Sequence, residues 1–64
     1  MTRNDIKDFT KEQLHNLYIA LESERKPLDS IVRHAWPTIE CVKELERIES
    51  DQIIVIETYL EKFN

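Results

Sequence analysis

The 64-residue sequence contains no glycine and only two prolines. β-Hairpins and most β-bulges need residues that adopt positive φ, and glycine is the usual one. A chain without glycine that is rich in Glu, Lys, Leu and Ile favours helices instead. We therefore expect an all-α fold, and we expect one small domain because a chain of this length holds only one thin core.

A capping box predicts where the first long helix begins. Thr10 and Gln13 stand three residues apart, so the Thr10 hydroxyl can accept from the Gln13 amide while the Gln13 side chain reaches back. Phe9 and Leu14 flank this cap at the spacing of a hydrophobic staple. An apolar stripe at helical spacing then follows, made of Leu14, Leu17, Tyr18 and Leu21.

The two prolines divide the middle of the chain. The residue before Pro27 is disfavoured in the α conformation, so we predict that the first helix covers residues 10–25. A short connecting helix is predicted over residues 29–36, with a break at Trp36–Pro37. Residues 1–9 form a leader whose Ile6 and Phe9 can fold back onto the first stripe.

The segment 38–63 is predicted to be either one long helix or two helices. Its only interruption is the polar patch 49–51, where Ser50 or Asp51 could cap a separate final helix. Paired with the first helix, this segment would form the second arm of an antiparallel helical hairpin. Two apolar stripes run along it, one of Ile39, Val42, Leu45 and Ile48, the other of Ile53, Ile56, Leu60 and Phe63 with Val55 and Tyr59 on its flank.

The charge balance bears on the class of partner. Thirteen acidic residues against nine basic ones give a net charge of −4, whereas nucleic acids and anionic membranes are bound mostly through Lys and Arg. The longest apolar run, residues 53–56, is too short to span a bilayer. The first residues lack the pattern of a secretory signal, and one unpaired cysteine suits a reducing compartment. We expect a cytoplasmic protein that binds neither nucleic acid nor membrane.

The residues that could ligate a soft metal are His15, His34 and Cys41. They do not form the close pairs of a zinc site, and three scattered ligands are too few for a closed one. A catalytic Cys41 with His34 as its base would need a pocket that a chain of this size hardly provides. We therefore predict no metal, no cofactor and no enzymatic activity.

Two features suggest binding to protein. Trp36 and Arg33 have the composition of an interface hot spot, although one Trp in a small fold can equally fill the gap between helices. The final segment also carries more apolar surface than the first helix can cover, since one helix covers a stripe of roughly 100°. A second copy of the chain is the simplest partner for the excess, so we expect a homo-oligomer. The candidate interface residues are Trp36, Arg33, Ile53, Ile56, Tyr59, Leu60 and Phe63.

A resemblance accompanies this layout. Residues 8–22, DFTKEQLHNLYIALE, followed by a variable middle and an amphipathic helix over residues 51–63, resemble short phage-encoded proteins. In size and layout the chain is similar to the small early proteins encoded between the exonuclease and excisionase genes of lambdoid phages. The resemblance implies a regulatory protein that modulates host functions or the choice between lysis and lysogeny by binding a protein. It carries over no site residues.

Three functional interpretations remain at this stage. The first is the non-enzymatic interaction module just described, with a host protein as a further partner. The alternative is a helix-turn-helix DNA-binding regulator over residues 28–48, although its second helix would offer Glu40, Glu44 and Glu46 where bases call for Arg, Lys, Asn or Gln. A third is a nucleic-acid mimic, for which a net charge of −4 is modest.

Overall fold

The computed structural model describes residues 1–63, which form three helices and no strand: α1 (Arg3–Ile6), α2 (Lys11–His34) and α3 (Ile39–Phe63). α2 and α3 are the arms of a hairpin. They are antiparallel, since Gln52 bonds Glu22 near mid-helix while Lys62 bonds the carbonyl of Phe9 at one end. The molecule measures 40 × 17 × 15 Å. The predicted all-α helical hairpin is confirmed.

The start of α2 is also confirmed. The Gln13 amide donates to the Thr10 hydroxyl at 3.1 Å, and the Thr10 amide donates to the Gln13 side-chain oxygen at 2.8 Å. These two bonds use amide groups that the first turn of a helix otherwise leaves unpaired. Leu14 is fully buried and Phe9 packs against the core, as the staple spacing predicts.

The prediction that the first helix ends at residue 25 is wrong. α2 continues through Pro27 to His34, so the short helix predicted over residues 29–36 is not separate. Pro27 removes one backbone hydrogen bond, but it is exposed and its ring faces solvent. Leu28 packs against the core next to it and extends the stripe begun by Leu21. Packing along α3 therefore outweighs the local cost of the proline.

The break at Trp36–Pro37 is confirmed, because residues 35–38 connect the two long helices. Ala35 is extended (φ −141°, ψ −178°), and its amide makes the last bond of α2, to the Ile31 carbonyl at 3.0 Å. Thr38 then caps α3, since its hydroxyl accepts from the Cys41 amide at 3.1 Å.

α3 is a single helix, which decides between the two alternatives left open for residues 38–63. The polar patch does not interrupt it, and Asp51 does not act as a cap. Asp51 is buried instead, with a carboxylate oxygen 3.7 Å from the Arg47 guanidinium and the other 3.7 Å from the amine of Met1. A carboxylate with two cationic neighbours can be tolerated inside a continuous helix.

The leader folds back as predicted, and it docks at the far end of α3. Ile6 is buried in the core. Arg3 pairs with both Glu57 and Glu61, and the Lys62 ammonium donates to the carbonyls of Lys7 and Phe9 at 2.6 and 2.7 Å. The core that α1, α2 and α3 enclose consists of Ile6, Leu14, Leu21, Ile48 and Val55.

Candidate protein-binding surfaces

The second half of α3 buries three polar side chains and exposes four large apolar ones. Asp51, Gln52 and Thr58 are buried together with Val55. The stripe predicted from the sequence lies next to this buried side of the helix, with its residues between 41% and 55% exposed; we call it the α3 face, and it consists of Ile53, Ile56, Leu60 and Phe63.

The buried polar side chains of α3 have partners inside the protein, so burying them does not carry the full penalty of an unpaired polar group. The Gln52 amide donates to the Glu22 carboxylate on α2 at 3.4 Å, and the Thr58 hydroxyl donates to the Ile54 carbonyl at 2.8 Å. Within residues 1–63, no buried side-chain nitrogen or oxygen lacks a partner. These hydrogen bonds offset the free-energy cost of removing Gln52 and Thr58 from water, so α3 can turn this side toward the core.

The sequence predicted excess apolar surface on this segment, and the structure identifies which part is in excess. The predicted flank, Val55 and Tyr59, faces the core, whereas the predicted main stripe faces solvent. Tyr59 is half-buried at the edge of the α3 face, with its ring centroid 5.6 Å from that of Phe63. α2 meets the edge of the α3 face at Ile56, and all four residues of that face remain exposed.

A groove of about 580 Å³ runs beside the α3 face, between α2 and α3. Ile56 belongs to both surfaces, and the Lys11 ammonium stands 5.8 Å from the Tyr59 ring centroid at the rim. The groove is walled by apolar and aromatic groups with charge at its margin, which suits an apolar side chain of a protein partner. Its lining residues are Lys11, Glu12, Leu14, His15, Tyr18, Val55, Ile56 and Tyr59.

Trp36 and Arg33 lie at the opposite end of the hairpin, which we call the tip (residues 33–37). Trp36 is 96% exposed, so the interpretation of Trp36 as a core residue is wrong. Arg33 is exposed and pairs with Asp29 at 3.0 Å. From the start of α3 to Ile53 is roughly 20 Å at 1.5 Å per residue. The predicted interface residues therefore form two separate surfaces rather than one.

The candidate metal ligands are not brought together. His15 lines the groove, His34 is at the tip, and Cys41 is partly buried near the start of α3. Among residues 1–63, no group of three or more His, Cys, Asp or Glu side chains is placed to hold a metal ion.

The acidic groups whose pKa is displaced lie in ion pairs or at a helix cap, and none of them belongs to the α3 face. The hydrogen bond from Arg25 lowers the pKa of Glu22, and the hydrogen bond from Arg47 lowers the pKa of Glu44. The bond from the Thr2 amide lowers the pKa of Asp5 at the start of α1. Glu57 and Glu61, a like-charge pair on one side of α3, both pair with Arg3, whose single positive charge offsets one of their two negative charges. These charges stabilise helices and hold α1 in place.

None of the helices within residues 1–63 has the length and apolar character needed to traverse a bilayer. No protein-family model, no curated protein and no solved structure matches this chain.

Proposed function

We propose that this protein is a non-enzymatic protein-interaction module whose principal binding surface is the α3 face. The observation that carries the proposal is the orientation of α3, which buries Gln52 and Thr58 while it exposes Ile53 and Leu60. Single exposed apolar residues are ordinary on a protein surface, but contiguous apolar surface rimmed by charge marks interaction sites. The α3 face with its groove is such a surface.

Charge supports a protein as the partner. Apart from Lys62, the basic residues of α3 are Lys43 and Arg47, and Arg47 is already paired with Glu44. With Arg47 and Lys62 already engaged, α3 offers few cations to phosphate groups. The apolar α3 face and groove instead match the apolar stripe of another helix.

Self-association is the first form of binding that we propose, because a small homo-oligomer covers excess apolar surface without a second gene product. The tip, with its exposed Trp36 and Arg33, remains free for a further protein such as a host factor. The resemblance to lambdoid phage early proteins supports a regulatory role for that second contact, in the host cytoplasm, directed at host functions or at the lytic and lysogenic programmes.

The DNA-binding alternative is not favoured. Paired helices in a helix-turn-helix meet at about 90–120°, whereas α2 and α3 are antiparallel along their length. The part of α2 that would serve as the first helix is also continuous with its preceding turns.

The proposal is tested by placing a charge on the α3 face. Ile53→Glu should shift the protein from an oligomer toward the 7.7 kDa monomer in sedimentation velocity, with unchanged helix content by circular dichroism. Ile19→Glu is a matched control, because Ile19 is equally exposed, at 50% against 55% for Ile53, but lies on α2, outside the α3 face and outside the lining of the groove. Two results together would show the proposal to be wrong. The wild type would be a monomer even at millimolar concentration, and every protein that it binds would also be bound by Ile53→Glu.

A further inference from the structure

We propose that the α3 face binds a second copy of this chain with the two α3 helices antiparallel, related by a two-fold axis that crosses the α3 face at the level of residue 58. This inference rests on the proposed function and deepens it, since it names the occupant of the α3 face and its orientation. It is carried by the spacing of the exposed residues, by the size of their side chains and by the charges around them.

The spacing of the α3 face is the same in both directions along the helix. Its residues follow one another at steps of three, four and three. A two-fold interface requires that residue i contact residue j and that j contact i. An antiparallel copy centred on position 58 meets this condition, because it places Ile53 against Phe63 of the second copy and Ile56 against Leu60 of the second copy.

The side chains that meet in this arrangement are complementary in size and position. At each outer contact a branched Ile53 meets an aromatic Phe63, and at the centre Ile56 meets Leu60. Ile56 forms one wall of the groove, so Leu60 of the second copy stands at the mouth of that groove. Interdigitation of this kind is how ridges on one helix fit between residues of another at 8–10 Å separation.

Glu49 decides between the antiparallel and the parallel arrangement. It lies four residues before Ile53 and therefore on the same side of α3, where it is exposed. A parallel pair of α3 helices would place the two Glu49 carboxylates opposite each other in an apolar seam, and like charges so placed are unfavourable. The antiparallel pair separates them by roughly 27 Å along the axis at 1.5 Å per residue, outside the contact.

The remaining charges near the axis are compatible with the antiparallel copy. This two-fold axis places the α2 helices of both copies on one side, where Lys11 and Glu12 stand on the rim of each groove. Lys11 of one copy then approaches Glu12 of the other, and the reverse pair forms by symmetry. On the opposite side Arg3 bonds both Glu57 and Glu61 and offsets one of their two negative charges, which reduces the repulsion between these residues and their counterparts in the second copy.

The arrangement has a consequence for the tip. Residue 58 lies near one end of the 40 Å hairpin, so the two molecules overlap only at their far ends. The dimer would be roughly 65 Å long at 1.5 Å per residue, with the two Trp36 side chains at its opposite ends. A parallel dimer would remain close to the 40 Å length of one chain and present both tips side by side.

The test is a distance between spin labels on Ser50, an exposed residue beside the contact. In a Cys41→Ser background, Ser50→Cys is labelled and the electron dipolar coupling is measured. The antiparallel dimer predicts a separation of roughly 25–30 Å, and small-angle scattering of the unlabelled protein should give a maximum dimension of roughly 65 Å, from the 1.5 Å rise per residue. Ile53→Glu in the same background should abolish the dipolar signal, and Ile19→Glu should preserve it.

The possible failures are distinct. A separation of roughly 10–15 Å with a length near 40 Å would overturn the antiparallel arrangement and leave the α3 face as a binding surface. A monomer without dipolar signal would overturn self-association altogether. The proposed function would then survive only if the wild type binds some other protein through the α3 face. In that case Ile53→Glu would no longer bind that protein, whereas Ile19→Glu would still bind it.

Discussion

Gln52 and Ile53 are neighbours in α3 with opposite surroundings: the Gln52 side chain is 6% exposed and bonds Glu22 on α2, while the Ile53 side chain is 55% exposed. Successive residues of a helix point roughly 100° apart, so only one of the two can face α2. The polar residue occupies the inward position. This inversion is the reason why the monomer is left with an apolar face.

Truncation of isoleucines should separate core from surface on the same helix. Ile48→Ala removes a side chain that is 1% exposed, and it should lower the free energy of unfolding by about 2–5 kcal/mol through lost burial and a cavity. Ile53→Ala should cost less than about 0.5 kcal/mol in the monomer. Urea denaturation of dilute samples measures both values. Equal losses at the two positions would contradict the orientation of α3.

Replacement of Pro27 by alanine should stabilise the protein. Pro27 lies inside α2, where proline is about 3 kcal/mol less favourable than alanine. Part of this gain, about 0.4–1 kcal/mol, is offset because alanine gives the unfolded chain more conformational freedom, which leaves an expected increase of about 2–2.6 kcal/mol in the free energy of unfolding. Pro37→Ala, in the connecting loop, should instead lose about 0.4–1 kcal/mol. Thermal unfolding of both variants provides the comparison. A lower stability of Pro27→Ala would instead indicate that a bend of α2 at Pro27 improves its packing.

Loss of the Thr10 cap should be measurable at the start of α2. Thr10→Ala removes the oxygen that accepts from the Gln13 amide and should cost about 1 kcal/mol. Ser23→Ala, at an exposed position in the interior of the same helix, should be neutral or slightly stabilising because alanine favours helix. If both variants unfold at the same denaturant concentration, the capping box contributes nothing to stability.

Acid should weaken the fold through Glu22. Its hydrogen bond from Arg25 lowers its pKa in the folded protein, while the unfolded value is about 4.3. The stabilisation is therefore fully present above the unfolded pKa and is lost as the pH falls through the folded pKa. The free energy of unfolding should decrease below about pH 5, and less steeply in Glu22→Gln than in the wild type. Glu46→Gln, an exposed control on α3, should leave the slope nearly unchanged.

Trp36 is the only tryptophan, so its fluorescence reports on the tip alone. Because it is 96% exposed, its emission should match that of solvated indole and should not change as the protein concentration is raised through dimer formation. Binding of a further protein at the tip should shift the emission to shorter wavelength. A blue shift that accompanies self-association would place the tip within the dimer interface and contradict the separation of the two surfaces.

Local features of the fold were predictable from the residues that specify them. The Thr10 cap depends on residues within three positions and needs no distant contact. The break at Trp36–Pro37 follows the local preference of the proline ring, which no packing opposes there because Trp36 is 96% exposed. Helical class followed from periodicity and from the absence of glycine. The end of the first helix was not predictable, because the penalty at Pro27 is local while the packing that overcomes it comes from α3.

Sequence alone determined that the final segment carries more apolar surface than its partner helix can cover, because periodicity reveals which side chains share a side of a helix. Only the tertiary structure decided which side is left over. The rotation of α3 depends on where α1 and α2 dock, on Arg3 reaching Glu57 and Glu61, and on Gln52 finding Glu22 across the hairpin. Those contacts join residues 30 to 58 positions apart in the chain, and no local pattern encodes them.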